Sequence, residues 1–316
     1  MDTATLARFE AGRDRLASLA YRLLGSAADA EDVVQDAFLR WQAADRDHIE
    51  VPEAWLTRVV TNLALDRLRS ARARREHAVG TWLPEPLLAG DPMLGPADTA
   101  EQRDSVSLAV LTLLERLTPV ERAVYVLREA FSHSHAEIAG ILDISESASQ
   151  QHAHRARRRV ATSRPGPDRR VTEVDRATAR RIAGAFLAAA ASGRTEQLVA
   201  LLTDDATAIS DGAGLSARLV LVSGPERIAA TLRAAYRPTP AKRKLVGGSP
   251  AFHAAVVNGC PAVIAVLDDR VVGLVVLEVR DDRIATLRGT AAPARLGRLT
   301  REWRRGDHGD LLVESW

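Results

Sequence analysis

The sequence predicts a multidomain protein: two all-α units followed by one α+β unit. Three observations carry this. Two Pro/Gly-rich breaks interrupt the chain, at Gly80 to Pro96 and at Ser163 to Arg170, and neither can continue a helix. Before the second break the apolar residues recur at helical spacing only. After it the texture changes to two helices and then a run of short strands.

The helical half starts from its clearest stripe. Ala30, Val33, Val34, Ala37, Phe38 and Trp41 share one helix face, and Asp29, Asp32 and Asp36 share the face beside it. Charge pattern alone allows either a solvated acidic face or a docking face for a basic helical partner. Pro52 opens the next helix. On it Arg58, Asn62, Leu65, Arg69 and Arg72 fall on one continuous face, with Trp55, Leu56, Val59, Val60, Leu63 and Ala64 assigned to the core. Arg67, Arg69, Arg72, Arg74 and Arg75 crowd its end, and Asp66 is the only acid between Arg58 and Arg75. So few partners disfavour a salt-bridged surface and favour a helix facing phosphate.

A helix-turn-helix is expected at 134–160. Ser134 and Glu137 fit a capping box. The first helix has Ile138, Ala139 and Leu142 as its inner face, Asp143 to Ser145 turn, and Ser145 caps a polar second helix ending in arginines. That second helix offers Gln150, Gln151, His154 and Arg155 to base edges and phosphates, with Ala148 and Ala153 as its inner contacts. His133, His135, His152 and His154 invite a metal, but His152 and His154 point to different faces of one helix, and none is expected.

In the last unit, helices at 174–192 and 195–202 precede strands at 219–222, 254–257, 262–267, 271–279 and 283–288, joined by NG and DDR turns. The formal net charge of +2 says nothing about nucleic acid; clustered arginine does. One cysteine, Cys260, excludes an internal disulfide. With no signal-peptide layout and no apolar run near the roughly 20 residues of a membrane span, a cytoplasmic protein is expected.

These constellations, in this order, resemble an extracytoplasmic-function (ECF) sigma factor. Leu23–Trp41 is similar to region two, and the stretch from Pro52 to Glu76 to the part that melts and reads the minus-ten element. LERLTPVERAVYVL with AEIAGILDISESASQQHAHRARRRV is similar to region four, which reads the minus-thirty-five element. Trp82-Leu83-Pro84-Glu85-Pro86 and the last unit resemble the SigJ-like subgroup with a fused, cone-shaped SnoaL-like domain. Asp211-Gly-Ala-Gly214 is a degenerate form of that domain's Asp-Gly-Gly-Gly-Lys signature, with Leu215 in place of Lys. In region four, Asp143 stands where Gly is usual and Ser149 where a bulky aliphatic is usual.

The resemblance implies a division into region two (1–77), a flexible linker (78–103), region four (104–163), a SnoaL-like regulatory domain (171–300) and a tail (301–316). It implies core RNA polymerase, through its clamp and flap regions, and promoter DNA as partners, with no cofactor, no membrane and no catalysis. Asp29, Asp32, Gln35 and Asp36 become the polymerase face. Arg58, Asn62, Asp66, Arg67, Arg69, Arg72, Arg74 and Arg75 become the minus-ten set. Ser145, Glu146, Ser149, Gln150, Gln151, His154, Arg155, Arg157 and Arg158 become the minus-thirty-five set. Residues 82–86 become a regulatory contact of the last domain. Asp211 and His253 are its pocket candidates, and a small-molecule ligand there stays open. The alternative is a helix-turn-helix regulator fused to a ligand-binding or cyclase-like SnoaL domain.

Overall fold

The computed structural model describes residues 3–75, 83–95, 105–163, 174–214, 219–306 and 309–315. The chain forms two compact units. One comprises Met1–Glu85 with Gly90–Arg170, the other Pro86–Ala89 with Val171–Trp316.

In the first unit, α1 (Thr3–Leu24), α2 (Ala27–Ala43) and α3 (Pro52–Arg75) pack together. Ser26 caps α2 by accepting from the Asp29 N–H at 3.2 Å; Ala30, Val33, Val34, Ala37 and Trp41 are buried, as the apolar stripe predicts, and Ala27 is buried with them. Phe38 is half-buried, its ring 4.9 Å from that of Phe9. The face of α3 differs from expectation. Leu65 is buried, while Val59 and Leu63 are only half-buried. The inner residues are Leu56, Thr57, Val60, Thr61, Ala64, Leu65 and Leu68. The two threonines go unnoticed in a reading by hydrophobicity, because each satisfies its own hydroxyl. Thr57 donates to the Glu53 carbonyl and Thr61 to the Thr57 carbonyl, both at 2.7 Å, so only methyl groups meet the core.

The described part of the expected flexible linker is pinned. The Glu85 carboxylate accepts from the Ala27 N–H at 2.8 Å, its own N–H donates to the Gly25 carbonyl at 2.8 Å, and its carbonyl accepts from Tyr21. Further on, Arg22 is buried. It donates to Ser105 Oγ at 2.8 Å and to the Leu94 carbonyl at 2.9 Å, and it lies over the Phe131 ring. Burial lowers the Arg22 guanidinium to about 10.

Helices α4 (Leu108–Leu114), α5 (Pro119–Glu129), α6 (His135–Leu142) and α7 (Glu146–Ser163) complete this unit. Capping boxes open α5 at Thr118/Glu121 and α6 at Ser134/Glu137. Asp143 ends α6 in the left-handed conformation (φ 55°, ψ 51°), and Ser145 accepts from the Ala148 N–H to start α7. The helix-turn-helix therefore starts and turns where expected, and its second helix runs past Val160 to Ser163. Its inner residues differ: Ile138 and Ile141 on α6, with Ala139 and Leu142 half-buried, and Ser149, Ala153, Ala156 and Val160 on α7, with Ala148 half-buried.

In the second unit, α8 (Arg176–Ala191) and α9 (Thr195–Leu201) lead to β1 (Leu202–Ser210) and β2 (Val220–Ser223). Then come α10 (Pro225–Tyr236), α11 (Pro240–Val246), β3 (Ala251–Val257), β4 (Cys260–Leu267), β5 (Arg270–Arg280), β6 (Arg283–Thr290), α12 (Pro293–Trp303) and β7 (Asp310–Val313). The strand order is β2-β1-β6-β5-β4-β3-β7, antiparallel except for β1 beside β6. The turns predicted at NG and DDR have positive φ at Asn258, Asp268, Asp269, Asp281 and Asp282, the backbone that tight hairpins need. Phe186, Leu187, Leu198, Ile228, Leu232, Phe252, Leu277 and Leu287 join α8, α9 and α10 to one face of the sheet. The expected tail instead supplies part of α12 and the edge strand β7, whose four residues are too few to show alternation. Pro86–Ala89 belongs here. Asn258 holds it, with its Oδ1 accepting from the Leu87 N–H at 2.8 Å and its N–H donating to the Leu87 carbonyl at 3.0 Å, and the Ala89 N–H donates to Val256.

Candidate nucleic-acid interface

On α3, Arg58, Asp66 and Arg69 are exposed and Asn62 is half-buried. Asp66 and Arg69 pair at 3.2 Å. The side chains of Arg72, Arg74 and Arg75 lie outside the described residues. Arg67 does something the sequence did not suggest. Its guanidinium meets Asp29 at 3.4 Å, Asp32 at 3.2 Å and Asp36 at 3.3 Å, so it bridges the whole acidic stripe of α2. Burial pulls its pKa down, but the hydrogen bonds to Asp32 and Asp36 outweigh that and raise it. Gln35 stands exposed beside this network.

Ser145 before α7, and Glu146, Gln150, Gln151, His154 and Arg158 on it, are exposed. Ser149 is not: it is fully buried, and its Oγ lies 2.9 Å from His135 Nδ1 on α6. It is therefore removed from the DNA-contacting set. A small polar residue replaces the usual aliphatic plug and is satisfied across the helix pair. Arg155 and Arg157 are also engaged within the unit. Arg155 Nε donates to Glu121 at 3.1 Å, and Arg159 pairs with the same carboxylate. Arg157 pairs with Glu129 at 2.7 Å.

Glu121 is buried. Burial would raise its pKa, but the Thr118 N–H and hydroxyl, Arg155 and Arg159 together lower it. It is absent from the sequence-derived site, although the Thr118-x-x-Glu121 spacing was readable as a capping box.

Leu83, Pro84 and Pro86 are buried and Glu85 is half-buried; Trp82 lies outside the described residues. The two pocket candidates are not brought together. Asp211 follows β1 and accepts from the backbone N–H groups of Ala213, Ala291 and Ala292 at 3.0 Å each, a structural clasp rather than a pocket wall. His253 lies on β3, with β6, β5 and β4 between the two strands. Its neighbours Phe252 and Ala254 point into the core, so His253 points to the opposite face, where Trp303 of α12 lies 5.0 Å away. That face has a shallow cavity of about 430 Å³ lined in part by His253, Asp269, Trp303 and Arg304. In the core between the helices and the sheet, the rings of Phe186, Tyr236 and Phe252 pack at 5.8 and 5.7 Å. Burial raises the Tyr236 phenol well above its usual value. Among the described residues no group of three or more His, Cys, Asp or Glu is placed to hold a metal, and no helix is long and apolar enough to cross a membrane.

Comparison with known proteins fits this geometry. Residues 9–74 match Sigma-70 region 2, and residues 107–160 match Sigma-70, region 4. The chain is 41% identical over 229 residues to the ECF RNA polymerase sigma factor SigJ of Mycobacterium tuberculosis, across 71% of this chain and 70% of that one. The chain belongs to the ECF sigma factors. It is also 32% identical over 298 residues to the probable ECF sigma factor SigI of the same species, covering 94% of this chain and 96% of that one. The crystal structure of M. tuberculosis SigJ superposes with a TM-score of 0.67 at 31% identity, covering 92% of this chain and 98% of that one. The match extends over both units, the C-terminal α/β sheet domain included. An ECF sigma factor binds core RNA polymerase and promoter DNA and directs initiation; the family is not one of enzymes.

Proposed function

We propose that this sigma factor divides its work among three helices. The acidic stripe of α2 (Asp29, Asp32, Gln35, Asp36) docks on a basic surface of core polymerase. The exposed face of α3 (Arg58, Asn62, Asp66, Arg69) meets the minus-ten element, and α7 (Glu146, Gln150, Gln151, His154, Arg158) meets the minus-thirty-five element. The observation that carries this is the helix-turn-helix itself. It is closed by two capped helix starts and the left-handed Asp143, and it presents a polar, arginine-ended helix outward. Neither module needs high affinity alone, because polymerase tethers both. Run-off transcription with core polymerase on genomic fragments tests the reading. Specific initiation is expected, and its absence would sink the proposal.

The SnoaL-like domain acts on this machinery without chemistry of its own. Asp211 is consumed by backbone donors and His253 faces away from the core. Its handle is Asn258, which holds Leu87, two residues beyond the Glu85 that caps α2. Asn258→Ala removes the side-chain part of that hold and leaves its backbone hydrogen bonds. Promoter output from the full holoenzyme is expected to shift in the same direction as on deletion of 171–316. Unchanged output in both would exclude a regulatory role.

A further inference from the structure

Helix α7 is held to the rest of its unit by small side chains. Ser149, Ala153 and Ala156 are buried, and Val160 is the only branched aliphatic among them. Such a face gives little apolar area and leaves rotation about the helix axis weakly fixed. A polar clamp does what the apolar face cannot. Arg155 and Arg159, one turn apart, both reach the single carboxylate of Glu121, which is buried at 3% exposure and tied to Thr118 at the start of α5. Arg157 meets Glu129 at the other end of α5.

We propose that Glu121 is the specificity-determining positioning residue of minus-thirty-five reading. It fixes the pose of α7 and withholds Arg155 and Arg159 from phosphate. The proposal rests on the reading of α7 as the promoter-facing helix. Phosphate contacts carry no sequence information, whereas polar side chains at base edges do. An arginine held by a buried carboxylate contributes little to indiscriminate attraction. Discrimination then falls to Gln150, Gln151 and His154, on the exposed face that the clamp holds outward.

The test uses the full chain in holoenzyme on a genomic fragment from which the wild type initiates, against the same fragment with a scrambled upstream element. Glu121→Gln keeps a capping-box residue, so α5 keeps its start. It is expected to lower discrimination between the two fragments about tenfold. The slope of log affinity against log salt should steepen by up to about 2, because two arginines become available to phosphate. The double variant Arg155→Gln/Arg159→Gln breaks the clamp without releasing an arginine, so it should lose discrimination with no steeper slope. Wild-type discrimination in either variant, or an unchanged salt slope in Glu121→Gln, overturns the proposal. A wild-type holoenzyme indifferent to the upstream element overturns the reading of α7, and the proposal with it.

Discussion

On α3 one arginine meets three carboxylates that all lie at the surface; on α7 two arginines meet one carboxylate that is buried. The side chains of Asp29, Asp32 and Asp36 are 55%, 63% and 48% exposed, so water competes for each of them and a cationic partner can replace Arg67 at small cost. Glu121, at 4% side-chain exposure, has no such exchange open to it. Losing its partners would leave a buried charge uncompensated. The first arrangement suits a surface that must change partners, the second a helix that must keep one pose.

The largest way to break this comparison lies beneath the basic face of α3 rather than on it. Leu65 is buried at 3% exposure, so Leu65→Ala is expected to cost about 2–5 kcal/mol of unfolding free energy in a denaturant titration. Arg69→Ala, four residues on and exposed, should leave stability within about 0.5 kcal/mol and instead reduce the salt slope of promoter binding by about 1. A small loss at Leu65 would return it to the solvent face.

That residue also shows how far the sequence was legible. Helix boundaries, caps and turn chemistry were local and could be read: Ser134, Asp143 and Ser145 do what their side chains and backbone preferences dictate. The facing of α3 was not. Its arginines are frequent enough to draw an apparent stripe through Leu65, and its buried threonines look polar until their hydroxyls are seen bonded to their own helix. The α2 stripe was identified residue by residue, yet its occupant Arg67 lies 31 to 38 positions away, and only tertiary packing brings the two together. Glu121 was not legible for the same reason, since its capping role is local and its clamp on α7 is not. Asp211 was chosen from a motif. The motif marked a real constraint, the backbone of Ala291 and Ala292, rather than a pocket.

The buried clamp should show itself in acid. Glu121 has its pKa below the usual 4.5 in the folded state, so its contribution to stability is complete above the unfolded value and is lost as pH falls through the folded one. Denaturant titrations from pH 7 down past 4 are therefore expected to fall less steeply in Glu121→Gln than in the wild type. At neutral pH Glu121→Ala, which also loses the capping box, should cost about 1–3 kcal/mol. An identical acid slope in wild type and Glu121→Gln would mean that the carboxylate gains nothing from Arg155 and Arg159.

The exposed network should give the smallest effect on stability and the more informative one on binding. Each of the Arg67 contacts is 3.2–3.4 Å long and open to solvent, so Arg67→Ala is expected to cost under about 1 kcal/mol, less at high salt. Because Arg67 occupies the face proposed to meet polymerase, its removal frees three carboxylates for the incoming cations. Association with core polymerase should tighten at low salt, by up to several-fold, with the gain fading as salt screens it. Asp32→Asn, which weakens both the internal pair and the docking face, should instead slow association. If Arg67→Ala weakened polymerase binding as Asp32→Asn does, Arg67 would be a scaffold for the acidic stripe rather than its exchangeable occupant, and the contrast with Glu121 would disappear.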